Sequence, residues 1–397
     1  MGRFDPDRLK RSFCDALVAL ANAERRVDPY FRDRFDRVAQ GPLAAATQRL
    51  IGITRSDPEG LALAEERPIP GEEAVAAEIV ECMSAFLRRE YPHGGALRAG
   101  NTKTYGVVRG ELRVRADLPP GYRHGVFQPG RVYPAWVRFA GPGPLAPPDP
   151  KDNGILSIGI KLMGVEGEKL MPDERRTQDL TGISAPTFTT PNVVENLKLQ
   201  RQLLAGTPIW YFVNPLDSHL LDGVMQGLYA RLNTSPLEVT FWSCVAYLLG
   251  EGQAMHYIVR PQSDARTAIP RPPGANYLRE AMVAALAARE VRFDVLLQLQ
   301  TDPWRMPIEN ASVRWSETES VPVAAAELVL PAQRFDSEAQ LAFAGNLAYN
   351  PWHSVPEHRP LGNQNRARRT IYLELSRLRQ EMDGEAHIEP TGEETFP

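Results

Sequence analysis

The sequence predicts an α+β protein: an antiparallel β-barrel or sandwich that follows a helical amino-terminal arm and is itself followed by carboxy-terminal helices. Three observations predict it. Apolar residues recur at three- and four-residue spacing over the first 95 positions, the period drops to two from Thr104, and helical spacing returns near residue 337.

In the arm, 7–26, 30–53 and 72–91 each carry the helical period, and Pro29, Pro58 and the Pro68/Pro70 pair punctuate them. From Thr104 onward, strand-like runs follow at 105–115, 131–139, 155–163, 237–247, 254–260, 291–300 and 321–330. That many short alternating runs imply a barrel or a sandwich. Helical stretches fall near 192–204, 216–231 and 276–289, and the Gly- and Pro-rich segment 141–150 reads as a stiff surface loop. After the last strand come a helix near 337–347, an irregular aromatic stretch over 349–358 and a final helix over 364–382. The acidic tail from Asp383 is expected to be disordered. The chain therefore divides into an arm or cap (1–95), a barrel unit with its helices (96–382) and a tail (383–397).

Composition narrows the class. With 397 residues, 43% hydrophobic and 24% charged, the chain can bury a large core. Its formal net charge of -4 carries no basic excess, so a nucleic-acid partner is not expected. Cys14, Cys82 and Cys244 are odd in number and widely spread, which argues for reduced thiols and against a disulfide framework or a zinc site. The first residues are polar and no apolar run reaches the length of a membrane span, so a cytoplasmic location is expected.

The final helix carries the chemistry. Arg368, Tyr372 and Arg379 are spaced by four and seven, which places one tyrosine between two guanidinium groups on one helical face. An adjacent cation favours a phenolate, and a phenolate is a hard anionic donor suited to ferric iron. An arginine-rich amphipathic helix whose tyrosine packs on the body has the same spacing.

Arg368-Arg-Thr-Ile-Tyr372 resembles the Arg-x-x-x-Tyr element of catalases and catalase-related proteins, and other segments match that family in order. Arg98-Ala-Gly-Asn101-Thr-Lys103 is similar to its Arg-x-x-His-x-Lys segment, and Trp136-Val-Arg138-Phe139 to its Val-Arg-Phe strand. Ser184-Ala-Pro186-Thr-Phe188 stands where the family has Asn-x-Pro-x-Phe. Phe343, Asn350-Pro351-Trp352 and Pro360-Leu-Gly follow the layout of its smaller bacterial members. The resemblance spans roughly 96–382 and implies a catalase-like barrel that binds ferric haem b. Tyr372 would then be the iron ligand, supported by Arg368. Arg98, Arg138 and Arg379 would meet the two propionates through paired charge-assisted hydrogen bonds, with Phe139 beside them.

The departures matter as much. Asn101 stands in place of the family's distal histidine and Ser184 in place of its asparagine. Disproportionating hydrogen peroxide requires a group that takes a proton and returns it, which neither a carboxamide nor a hydroxyl does easily. Neither His93 nor His124 has the spacing to restore that group, and His353 reads as a surface or structural residue.

Asn101, Ser184 and Phe188 are therefore the candidate residues around a reaction that demands less proton transfer. An organic hydroperoxide or another small organic metabolite, oxidised, isomerised or cleaved, fits that description. A non-catalytic haem carrier or sensor, and a haem-free pseudo-catalase, are the alternatives. The resemblance also implies self-association, as a homodimer or larger homo-oligomer.

Dinucleotide, phosphate-loop, metalloprotease and nucleophile-elbow motifs are absent. Asp149, Asp152 and Asn153 lack the glycine and distal glutamate of a calcium loop and read as a solvated turn. The pairs Glu65-Glu66, Glu72-Glu73 and Glu393-Glu394 read as solvent-facing.

Overall fold

The computed structural model describes residues 6–151 and 154–396. Asp152 and Asn153, two of the calcium-loop residues considered above, lie outside them.

The chain opens with α1 (Pro6–Phe35), a π-helical turn (Asp36–Gln40) and α2 (Gly41–Thr54) in one unbroken run. Pro29 therefore lies inside α1 and does not end it. A proline removes one helical hydrogen bond, but contacts on both sides keep the helix continuous through it. Asp28 accepts from the Leu232 amide at 2.7 Å, and the Arg32 guanidinium donates to the Ala230 carbonyl at 2.7 Å. α3 (Glu72–Glu90) completes the arm.

The barrel is built from β1 (Thr104–Val114), β2 (Val132–Ala140), β3 (Ser157–Met163), β4 (Thr177–Ile183), β5 (Phe241–Trp242), β7 (Ala254–Pro261), β8 (Val291–Leu299) and β9 (Val323–Leu330). Neighbouring strands run antiparallel in the order β5-β4-β3-β2-β1-β9-β8-β7, and pairing of β5 with β7 closes the ring. A two-residue β6 (Tyr247–Leu248) adds to the start of β7. The fold is thus α+β with a closed antiparallel barrel. Its interior is the main core, where Val108, Leu112, Val137, Phe139, Ile160 and Phe293 meet.

Two strand expectations change. β4, Thr-Gln-Asp-Leu-Thr-Gly-Ile, lacks apolar alternation because its buried polar side chains find partners inside the fold. The expected strand 237–247 breaks into β5 and β6 around Cys244, whose backbone takes a positive φ of 59°.

Helices α4 (Val193–Leu204), α5 (Trp210–Val213), α6 (Leu220–Tyr229), α7 (Tyr277–Ala288), α8 (Glu338–Asn346) and α9 (Asn363–Asp383) surround the barrel. α9 buries Ala367, Ile371, Leu375, Leu378 and Met382, a three-and-four repeat that packs against α3 and α4 in a second core. It ends at Gly384, which supplies the left-handed residue (φ 68°) that closes the last turn.

Glu66 and Glu72 are not solvent-facing. Together with Glu309 they hold the Arg366 guanidinium, pinning the arm to the start of α9. The tail also departs from expectation. Glu394 accepts from the Trp136 indole at 2.8 Å and Phe396 packs edge-on against the same ring, so residues up to 396 lie against β2. Trp136 presents a large apolar face with one donor at its rim, and the tail satisfies both. No described helix is long and apolar enough to cross a membrane.

Candidate functional site

Strand alternation puts Arg138 and Phe139 on opposite faces of β2. Phe139 points into the barrel, with ring centroids 6.0 Å from Phe241 and 6.3 Å from Phe293. It therefore belongs to the core and does not line the cavity described below, which corrects its expected place beside a cofactor. Arg138 faces outward. On that outer face the register aligns Arg138 with Gly159 and Gly159 with Thr181, and one step along aligns Trp136 with Lys161 and Lys161 with Asp179.

The first row floors a cavity of about 1030 Å3 of empty space, mouth included, lying between β2–β4 and helices α3 and α9. Arg98, Asn101, Arg138, Phe188, Arg368, Tyr372 and Arg379 all line it, so the structure brings together every expected site residue except Phe139 and Ser184. Ser184 is turned away: its hydroxyl accepts the Leu156 amide at 2.8 Å, bridging the residue before β3 to the residue after β4. Thr181, Gly182 and Ile183 reach the cavity instead.

Arg368 is held on three sides. It donates to the Tyr372 hydroxyl at 2.9 Å, to Thr181 Oγ1 at 2.8 Å and to Asn365 Oδ1 at 3.0 Å. Burial works against its charge, yet the phenols of Tyr372, Tyr247 and Tyr257 more than offset that and hold its pKa above the usual arginine value. Asn365 precedes Arg368 by three and so shares its helical face, a relation legible in the sequence. Thr181 sits in the strand that the sequence hid.

The other three arginines lie close enough to act on one another. Arg138 donates to Thr104 Oγ1 at 2.8 Å and to the Asn101 carbonyl at 2.7 Å. Arg98 and Arg379 both hold the final carbonyls of α8: Arg98 donates to Ala344 at 3.0 Å and to Leu347, and Arg379 to Gly345 and, at 3.2 Å, to Asn346. A helix end offers only a fraction of a charge. Among the described residues no carboxylate lies within ion-pair distance of Arg98, Arg138 or Arg379. Burial, aided by the neighbouring guanidiniums, pushes Arg98 well below the usual arginine range. Burial likewise lowers Arg138 and Arg379, each to about 10. Guanidiniums without a carboxylate at ion-pair distance have the charge and geometry to accept an anion.

Asn101 adopts a positive φ of 47°, a conformation asparagine tolerates, and its carboxamide makes no hydrogen bond among the described residues. The cavity is lined by no histidine, lysine, aspartate or glutamate. Tyr349, not anticipated from the sequence, forms part of its wall. Its hydroxyl donates to the Trp136 carbonyl at 3.3 Å, and its ring fills the space a side chain at Gly159 would need, since a Cβ there would sit 2.9 Å from the ring.

Behind Tyr349 lies a buried charge cluster. Lys161 Nζ is 2.8 Å from Asp179 and also touches Glu174, and all three side chains are fully buried. His353 is buried here too, 2.8 Å from Asp179 through Nδ1 and 3.0 Å from Asp173 through Nε2. Its role is therefore structural. Asp149, read as part of a solvated turn, is also buried, 2.6 Å from Lys103.

The cluster predicts a pH dependence. Burial and the Lys161 ammonium push His353 down, but hydrogen bonds to Asp173 and Asp179 outweigh them and raise it to about 9. A raised imidazole contributes stability that is complete below its unfolded pKa of about 6.5 and is lost as pH climbs through the folded value. Stability should fall by on the order of 3 kcal/mol between about pH 6.5 and 9 from this group. Lys169, lowered to about 8 chiefly by burial, opposes the trend at the alkaline end. The comparison is therefore urea midpoints of wild type and His353→Gln across that window: the variant should show the flatter profile, and parallel profiles would exclude the assignment.

No family model matches the chain, and no curated protein does. Among solved structures it is similar to a bacterial catalase, with a TM-score of 0.54, 16% identity, and coverage of 84% of this chain and 67% of that one. A fungal catalase gives a TM-score of 0.56 at 14% identity, over 86% of this chain and 70% of that one. Catalase A from Saccharomyces cerevisiae gives 0.57 at 13%, over 82% and 68%. Likeness at this identity establishes the fold, which is catalase-like.

Proposed function

We propose that this catalase-like fold holds ferric haem b through Tyr372 and acts on an organic hydroperoxide or another small organic molecule, with little disproportionation of hydrogen peroxide. The observation that carries the reading is a single cavity in which a phenol oxygen receives a guanidinium hydrogen bond while three further guanidiniums lack carboxylate partners.

The residues fit the group. Tyr372 offers an oxygen donor, and Arg368 orients that oxygen and supports it as a metal ligand. Arg98, Arg138 and Arg379 supply the positive charge that two propionates require. When bound, haem supplies an iron centre able to cleave or rearrange an O–O bond. Ile183, Phe188 and Leu375 present apolar surface that excludes water. Asn101 can donate a hydrogen bond to a bound oxygen but cannot take up a proton and return it. A substrate that brings its own O–O bond needs less of that transfer than hydrogen peroxide does. The same lack suits a non-catalytic haem carrier, which would bind haem without turnover. Exposed apolar side chains along the arm, among them Leu20, Tyr30, Val38 and Ile53, support self-association as a homodimer or larger assembly.

Titration with haem should give a Soret band that saturates at one haem per chain. Oxygen evolution from hydrogen peroxide should run about a hundredfold below consumption of cumene hydroperoxide, the scale of a missing general acid–base group. Failure to take up haem, or the opposite order of rates, would refute the proposal.

A further inference from the structure

A second cavity lies beside the first and shares Arg98 and Arg379 with it as a common wall. It holds about 990 Å3 of empty space, mouth included, between the segment 96–104, the loop around Pro148, the start of α7 and the outer side of α8. Its charged lining is Arg98, Lys103, Arg279 and Arg379, and no carboxylate lines it.

Among the described residues only one of these four cations has a carboxylate within ion-pair distance. Lys103 lies 2.6 Å from Asp149. Arg279 donates to the Tyr105 carbonyl at 2.9 Å and the Thr104 carbonyl at 2.7 Å, which are neutral acceptors. Among the described residues no carboxylate lies within ion-pair distance of Arg279, and Asp149 and, more weakly, Asp336 act on it only from farther away. The rest of the wall is largely apolar, including Leu97, Pro148 and Leu341. A planar guanidinium fork matches a carboxylate, and apolar walls beside it match a hydrocarbon chain.

We propose that this second cavity binds a small amphipathic carboxylate, with its head group on Arg279 and the shared guanidiniums and its chain against Leu97, Pro148 and Leu341. The site stands apart from Tyr372; Arg98 and Arg379 are shared with the first cavity, and Arg279 is the guanidinium that belongs to the second cavity alone. An anionic phosphate would share the head-group chemistry, but the apolar wall favours a carboxylate that carries a tail.

Calorimetric titration of the purified protein, carrying whatever cofactor it retains, with octanoate and with neutral octanamide tests this. Octanoate should bind at least about tenfold tighter, the scale of a charge-assisted hydrogen bond. Arg279→Gln should erase that preference. Leu341→Trp should displace both ligands by filling the cavity without touching a charge, so a folding defect in one variant cannot hide the result. Equal affinity for the two ligands overturns the proposal, as does either variant that keeps wild-type octanoate affinity. The latter result would put the anion in the first cavity. A chain that takes up haem but ignores octanoate refutes this site alone, and one that binds octanoate through Arg279 but takes up no haem refutes only the haem reading.

Discussion

Tyr372→Phe is expected to abolish the haem absorption band while leaving the fold nearly unchanged. The substitution removes one oxygen from a half-buried ring and keeps the ring's packing against α3 and α9. Arg368 loses one acceptor but retains Thr181 Oγ1 and Asn365 Oδ1, so its buried guanidinium is not stranded. The lost hydrogen bond should lower stability by about 1 kcal/mol. Ligand loss should lower haem affinity by orders of magnitude, because the remaining oxygen donors around the cavity are neutral hydroxyls and carboxamides. Absorbance titration and a denaturation curve, run on the same preparation, separate the two effects. A variant with the wild-type spectrum would transfer the ligand role elsewhere, and Tyr349, the other phenol on the cavity wall, would be the next residue to replace.

The second large effect belongs to a residue outside the cavity. Lys161→Met should destabilise the protein by about 3–5 kcal/mol, the range for removing one partner of a buried ion pair. Its ammonium is the charge between Asp179 and Glu174, whose carboxylates are fully buried. Methionine fits the volume but leaves the His353 imidazolium as the buried cation facing those two carboxylates. Asp179 also accepts the Asn350 amide at 2.8 Å, and its own amide donates to the His353 carbonyl at 2.9 Å. The stretch carrying Tyr349 is thereby fastened to β4. Urea unfolding gives the magnitude, and Lys161→Met/Glu174→Gln should recover part of the loss by removing one unpaired charge. A single-variant loss below about 1 kcal/mol would mean that the cluster is relieved by water or by protonation.

Much of this was legible in the sequence, for reasons that differ by residue. Arg368, Tyr372 and Arg379 obey the helical period, so their common face follows from arithmetic alone. The long strands announce themselves through alternation, and α9 through its three-and-four repeat. β4 did not, because Thr177, Gln178 and Asp179 are polar residues whose burial depends on partners far away in sequence. That omission hid Thr181 and the Lys161 cluster together. Ser184 and Phe139 were misplaced for a related reason. Adjacent residues on a strand face opposite ways, so a motif that locates the segment still leaves open which of its side chains meets the ligand. Pro29 was read by its local rule, and tertiary contacts at Asp28 and Arg32 overrode it.

The meeting of Arg98, Arg138 and Arg379 also bears on how the protein persists in solution. Like charges gathered in a partly dry wall raise the free energy of the empty folded state, and an anion bound there lowers it by mass action, by RT ln(1 + [L]/Kd). Occupancy and folding are therefore two readings of one equilibrium. If the proposed anion binds there, the empty chain would be the least durable form of the molecule, and its survival of proteolysis or heat would depend on the supply of that anion as well as on the sequence.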